Sequence, residues 1–394
     1  MKRIIFINAH WNHLLMNTPN YYVYSIKAPQ KYATLFNKLI ERNDVEVLSY
    51  VSQRGNIIPL TLNKFHFTWH SLLEAQYVLK KQKLENKIRL FCDINEIQED
   101  DVVIAFVHSR GGADDFEKMK GKKVVHLNQY QFHHVSELNN ILPFADEFIL
   151  EANVINDQNY ISKAKLPQHY KFTTIPYIAG ERFVKVKPFK IRKNKAVATG
   201  TIGICSNIDY QNFYNTSLCH KMRKVVYDRR DELNSYMDIF ISPYSENKKI
   251  LKVRDGESLV TRYIKKLYNA TIAGQGKQKG YFSFNIVDKY NEYMMAYVPE
   301  EIVGLPAIGA FESMACGCAF IGLNHHMYTD LGLVPGTHYV EYDGTIENLK
   351  SVIRYYQNHI EELELIANAG YDFVRSNLNA GKITEMFVEK IFSK

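Results

Sequence analysis

Cysteine is scarce and out of pattern. The five residues Cys92, Cys205, Cys219, Cys316 and Cys318 are an odd number, and none forms a Cys-x-x-Cys pair. A disulfide framework is poorly supported on those grounds, and a zinc site has only the isolated Cys316-Gly-Cys318 to draw on. A reducing, cytoplasmic setting is the expectation. Long apolar runs are missing as well: no stretch approaches the roughly 20 residues of a spanning helix. The opening Met-Lys-Arg-Ile-Ile-Phe-Ile-Asn is too short for the apolar segment of a signal peptide. There is no Asp-x-Asp triplet to chelate a metal at a strand end, so no metal and no other cofactor is expected. The net charge of +7 is thin over 394 residues, and the basic residues lack interleaved aromatics, which argues against a nucleic-acid partner. Acid is absent where base is dense: Lys185, Lys187, Lys190, Arg192, Lys193 and Lys195 fall in one short stretch with no Asp or Glu. Such a run is either a solvated linker or an attraction for phosphates and anionic lipid heads.

What is present is strand and helix in alternation. Arg3–Asn8, Asp44–Tyr50, Asp101–Val107, Lys122–Leu127 and Asp146–Leu150 are short apolar runs of the kind a buried parallel strand shows. Lys31–Arg42 puts Tyr32, Leu35, Phe36, Leu39 and Ile40 on one helical face, and His70–Lys83 also reads as helix. The rhythm breaks between Tyr177 and Lys195, with Gly180, Pro188 and the basic run, and an inter-domain linker is expected there. It then restarts. Lys195–Ala198, Thr201–Ile204, Met237–Ser242, Tyr281–Ile286, Tyr293–Val298 and Cys318–Leu323 are strand candidates. Leu259–Ala270, Thr345–Tyr356 and Ile360–Ala369 are helical. The pattern predicts an α/β protein with parallel sheets.

The stretch Glu300–Gly322 carries the most chemical information. It reads as a Gly/Pro loop (Gly304-Leu305-Pro306), a helix from about Ile308 to Cys316, a left-handed stop at Gly317, and a strand. Gly309 and Ala310 leave the helix start without bulk, so its free N–H groups can approach a diphosphate. Glu312, with Ser313 beside it, follows in the first turns. A carboxylate near phosphate is repulsive unless it accepts hydrogen bonds from ribose hydroxyls; otherwise it is an ordinary acid favouring a helix start.

Phe311-Glu-Ser-Met-Ala-Cys-Gly317, Tyr328-x-x-Leu-Gly332, Gly336-x-His-Tyr339 and Tyr342-Asp-Gly344 resemble the C-terminal domain of GT-B glycosyltransferases. The group 1 type and its CgeB-like relatives are the nearest likeness, covering about residues 195–394. The resemblance implies two Rossmann-like domains with a cleft between them. It divides the chain into an acceptor domain at 1–185, a nucleotide-sugar domain at 186–375, and a helix at 376–394 returning to the first. It implies that Glu312 holds the donor ribose and that Gly304–Gly309 face its sugar and phosphates. The acceptor would be a saccharide or glycolipid in surface polysaccharide assembly, with peripheral contact at the inner face of the membrane. Retaining members carry a second Glu eight positions earlier, and Gly304 stands there, with Glu300 and Glu301 out of register.

Without a metal, the leaving diphosphate needs cations and backbone amides. Lys195, Arg254, Lys277 and Lys279 are the candidates, with Thr199-Gly200-Thr201 as a small turn after a strand. His10, His108 and His126 lie at or near the C-terminal ends of predicted strands, with His133 and His134 beyond. A histidine can take a proton from an acceptor hydroxyl. His108, in a polar Gly-rich loop, is the first choice and His126 the second, although lone histidines are commonly structural. A nucleotide-sugar epimerase and a non-catalytic scaffold on the same fold are the competing readings.

Overall fold

The computed structural model describes residues 1–7, 9, 32–51, 75–76, 79–80, 83–105, 115–127, 135–243, 258, 260–261, 264–265 and 284–393. Two all-parallel sheets organise them. The first holds β1 (Lys2–Ile7), β2 (Val45–Tyr50), β3 (Ile88–Phe91), β4 (Val102–Ala105), β5 (Lys122–His126), β6 (Glu147–Leu150) and β7 (Lys171–Thr174), in the order β3-β2-β1-β4-β5-β6-β7. The second holds β8 (Lys193–Ile202), β9 (Met237–Pro243), β10 (Tyr293–Tyr297), β11 (Ala319–Leu323) and β12 (Val340–Tyr342), in the order β12-β11-β10-β8-β9. The strands are apolar on both faces because helices cover both: every residue of β4, β6 and β10 is buried. Strand order reverses between β1 and β4 in one sheet and between β8 and β10 in the other. Ligands of open α/β sheets bind outside the carboxyl ends of strands at such reversals.

Two expectations need correction. Thr199-Gly200-Thr201 is not a turn; β8 runs through it to Ile202, and Gly200 (φ 134°) supplies the backbone conformation. Ile286 opens a helix rather than closing a strand, since Asn285 accepts a hydrogen bond from the Val287 amide as its cap. Strands β3 and β7 went unseen in the sequence, being four residues each with polar positions interleaved.

The helices of seven or more residues among the described ones are α1 (Ala33–Ile40), α2 (Val135–Ile141), α3 (Ile208–Tyr214), α4 (Lys221–Asp228), α5 (Ile286–Glu292), α6 (Ile308–Ala315), α7 (Ile346–Asn358), α8 (Ile360–Asn377) and α9 (Ala380–Phe392). The chain crosses between the sheets at residues 175–192 and crosses back after α8, where the Ala179 amide donates to the Leu378 carbonyl. Beyond that point α9 lies against α1. Its Ile383, Phe387 and Ile391 are buried, and Lys122 Nζ reaches the Ile391 carbonyl at 2.8 Å. Apolar packing is continuous across the crossing, from Ile4 and Phe36 through Tyr177 and Phe183 to Phe311 and Met314.

One member of the basic run is built into the fold, and its neighbours pair at the surface. Arg192 is buried, donating to the carbonyls of Lys187, Tyr290 and Cys316. Lys185 Nζ donates to Asn368, and Lys193 pairs with Asp238. No helix of the described residues is long and apolar enough to cross a membrane.

Candidate active site

At the β8–β10 reversal the carboxyl ends of the strands carry a cluster of buried polar groups. Beyond β8, Gly203 donates its amide to His220 Nδ1 at 2.9 Å. That bond fixes the proton on Nε2, which stands 3.5 Å from Glu301 Oε1. Burial, and then the Arg223 charge, lower the His220 pKa, so the imidazole stays neutral. Arg223, in the first turn of α4, is 6% exposed. Its Nε donates to the Pro299 carbonyl and its Nη1 to the Thr201 carbonyl, while Nη2 has no partner among the described residues. It therefore lies across the ends of β8 and β10 as a buried cation. Glu300 is also buried and accepts from the Leu323 amide and the Tyr328 hydroxyl; burial raises its pKa.

Between Glu301 and α6 the backbone is strained. Val303 (φ 59°) and Gly304 (φ 76°) are consecutive left-handed residues. For a β-branched side chain this costs about 1–2 kcal/mol and marks a conformation imposed by its surroundings. Gly304 is needed twice over, since a Cβ there would sit 2.9 Å from the His325 ring. The turn is pinned by Ile302 N donating to Cys219 O and Glu301 N donating to Leu305 O. It delivers the chain into α6, whose cap residue Ala307 offers no side-chain acceptor. The first amides of α6 are accordingly without a cap, and an uncapped helix start favours anions.

Glu312 occupies a neighbouring place. Its side chain lines a cavity of about 290 Å³ bounded by Ile308 on α6, Arg182 and Phe183 of the crossing segment, and Asn37 and Lys38 of α1. Burial pushes its pKa up to about 7, against an opposing pull from Arg182. Ile308 and Glu312 share one face of α6, so this cavity begins at the helix start.

The other sequence candidates divide sharply. Lys195 lies near the amino end of β8, about 23 Å of strand from Ile202, and its Nζ is held by Asn234 O and Asp238. Ser313 is fully buried and donates to Ala310 O, so it reaches no ligand. Leu305 and Pro306 are buried in packing, and Gly309 faces inward, where a Cβ would sit 2.9 Å from the Tyr290 hydroxyl. These residues shape the loop and helix start and present no side chain to a ligand. Gly200 and Thr201 lie beneath Arg223. His126 is buried, edge-on to Tyr32 at 5.3 Å, beside a cavity of only about 10 Å³, room for about one water. His108, Arg254, Lys277, Lys279, His10, His133 and His134 lie outside the described residues. Arg223, His220 and Glu301 were missed. In the sequence Arg223 and His220 look like parts of an ordinary basic helix start, and only the pairing of Cys219 N with Gly203 O brings them to the strand ends.

No family model matches the sequence, and no curated protein sequence matches it. Solved structures do match in fold. HepE from Anabaena, in complex with UDP-glucose, aligns at 12% identity over 99% of each chain with a TM-score of 0.53. Sucrose-phosphate synthase from Thermosynechococcus elongatus aligns at 11% identity over 99% of this chain and 98% of its own, with a TM-score of 0.52. A trehalose-6-phosphate protein from E. coli, bound with UDP-2-fluoro glucose, aligns at 9% identity over 100% and 99%, with a TM-score of 0.51. The chain has the GT-B architecture, with two Rossmann-like α/β domains. The finer likeness to CgeB-like proteins rests on sequence alone.

Proposed function

We propose that this protein is a glycosyltransferase that moves a sugar from a nucleoside-diphosphate donor onto a saccharide or glycolipid acceptor. The observation that carries the reading is the β8–β10 reversal. There a strained turn, an uncapped helix start and a buried arginine with one nitrogen uncommitted among the described residues lie beside the same strand ends, on a fold shared over its whole length with a UDP-glucose-bound protein. An anionic leaving group is what such a place stabilises.

In the proposed reaction the acceptor oxygen bonds to the donor's anomeric carbon as the bond from that carbon to the phosphate oxygen breaks. The electron pair leaves with the diphosphate, whose growing charge meets Arg223 and the amides at the start of α6. Glu312 accepts hydrogen bonds from the ribose hydroxyls, a role supported by its place on the face of α6 that begins at Ile308. Glu301, oriented by neutral His220, stands on the sugar side. The proton of the acceptor hydroxyl goes to a base, for which His108 is the proposal. Arg223 fills the place a metal would otherwise take, so turnover is expected to survive EDTA. Surface polysaccharide assembly is the setting proposed, with a cytoplasmic site of action.

Thermal-shift measurement with UDP-, GDP-, ADP-, CMP- and dTDP-linked sugars tests the reading. A ligand at about 100 times its Kd stabilises by about 2.7 kcal/mol, and one nucleotide class should raise Tm while the others do not. If none does so at millimolar concentration, the proposal fails.

A further inference from the structure

The second sheet has another concavity at its outer edge, untouched by the chemistry above. One wall is the end of β12, with Glu341 and Asp343, and Asn324 just beyond β11. The other is the face of α7 that carries Asn348, Ser351 and Tyr355. Asn348, Ser351, Val352 and Tyr355 recur at helical spacing, so they form one stripe. The groove has a volume of about 670 Å³, within the roughly 300–1,000 Å³ of small-ligand sites. With strands about 4.8 Å apart, it lies about 10–15 Å along the sheet edge from the ends of β10 and β8.

The geometry points to a subsite for a neutral saccharide chain in this groove. A pyranose ring presents a face of C–H groups and a rim of hydroxyls, and the groove offers partners for both. Tyr355 is 47% exposed yet fixed: His359 stacks on the ring at 4.0 Å and 13°, and its hydroxyl donates to Glu362. A held aromatic ring with an open flank is a surface for an apolar sugar face. The rim hydroxyls would meet carboxylates, which accept, and amides, which both accept and donate. Among the described residues no Lys, Arg or His lines the groove, so an anionic ligand finds no counter-charge there. A cation is also disfavoured, because both carboxylates are partly engaged. Asn324 Nδ2 donates to Glu341 at 3.2 Å, and the Thr345 amide and hydroxyl both donate to Asp343 Oδ1. The groove's use as a holding place for a glycan substrate rests on the glycosyl-transfer reading; its ligand chemistry does not.

The test is an array of immobilised oligosaccharides carrying neutral glucans, galactans and N-acetylated amino-sugar chains beside sialylated and sulfated ones, with a lysine-rich peptide as a cationic probe. The full chain, Tyr355→Ala and Tyr355→Phe are applied with UDP present. The wild type should retain at least one neutral class. Tyr355→Ala should weaken that retention about tenfold, and Tyr355→Phe, which keeps the ring, should stay within about twofold. Circular dichroism of both variants checks that α7 is intact. Retention of no neutral glycan, equal retention by Tyr355→Ala, or preference for the sulfated chains or the peptide would overturn the inference. Nucleotide-sugar melting shifts are measured separately. Tyr355-dependent glycan retention without any nucleotide-sugar shift would sink the glycosyl-transfer reading and leave the groove standing.

Discussion

The two ends of β8 are both rich in charge, and they could hardly differ more in what the charge does. At the amino end, Lys193 and Lys195 share Asp238 near the surface, with Lys193 over the Tyr293 ring. At the carboxyl end, Arg223, His220, Glu300 and Glu301 have their side chains nearly enclosed, with carbonyls, amides and a strained turn as partners. Solvated pairs of the first kind contribute about 0–1 kcal/mol and tolerate loss of either member. Enclosed groups of the second kind are costly to place and persist only where the fold over-determines them. Charge density is highest at the amino end of the strand. Enclosure of a cation is found at the other end, where the proposed site lies.

Arg223→Ala is the strongest way to break this contrast. Turnover should fall about 10²–10³-fold from the loss of charge stabilisation. Stability should fall by about 2–4 kcal/mol as two carbonyls lose a donor. Nucleotide release kinetics and urea denaturation read the two effects; a stability loss with turnover down less than fivefold makes Arg223 merely structural. Glu301→Gln preserves shape and should lower kcat about 10–100-fold, with KM for the donor nearly unchanged. Equal kcat would remove Glu301 from the sugar side.

Glu312 sharpens the comparison through pH. Its folded carboxyl keeps its proton up to about pH 7, against an ordinary value of 4.5. The folded state thus binds more protons than the unfolded one in this window, so stability falls as pH rises. The contribution is complete below about pH 4.5 and lost as pH passes about 7. Glu312→Gln should flatten the stability profile over that window and exceed the wild type by about 1–3 kcal/mol at pH 8, allowing for partial exposure. In calorimetry the same variant should bind the nucleotide about tenfold more weakly. Unaltered affinity would move the ribose elsewhere. Smallest of all, Lys195→Met should change stability by less than about 0.5 kcal/mol and leave turnover untouched; a large loss of activity would restore Lys195 to the site.

Most of the scaffold was legible. Continuous apolar runs such as Ile4–Ile7 and Val102–Ala105 announce strands covered on both faces, and Gly317 announces a helix stop, as its φ of 77° bears out. The strands that escaped notice, Ile88–Phe91 and Lys171–Thr174, are the edges of the first sheet, where one flank needs no apolar cover. The proposed site was legible as a loop, a helix start and Glu312. Gly304, Pro306 and the helix start were visible because they are local backbone features, whereas Lys195 was chosen by charge and proximity in sequence, neither of which reports depth along a strand.

By itself the sequence determined the alternation of strand and helix, the parallel arrangement it implies, and the break near residues 177–195. These follow from apolar periodicity and backbone chemistry, which act over a few neighbouring residues. The tertiary structure alone decided that His220 faces Glu301 and Arg223 reaches the Pro299 carbonyl from almost 80 residues away, and that burial pushes the Glu312 carboxyl up to about 7. It also decided that Arg192 is buried among carbonyls while the lysines of the basic run stay at or near the surface. A side chain's chemistry depends on its desolvation and its partners, and those are set by which strand ends the sheet brings side by side.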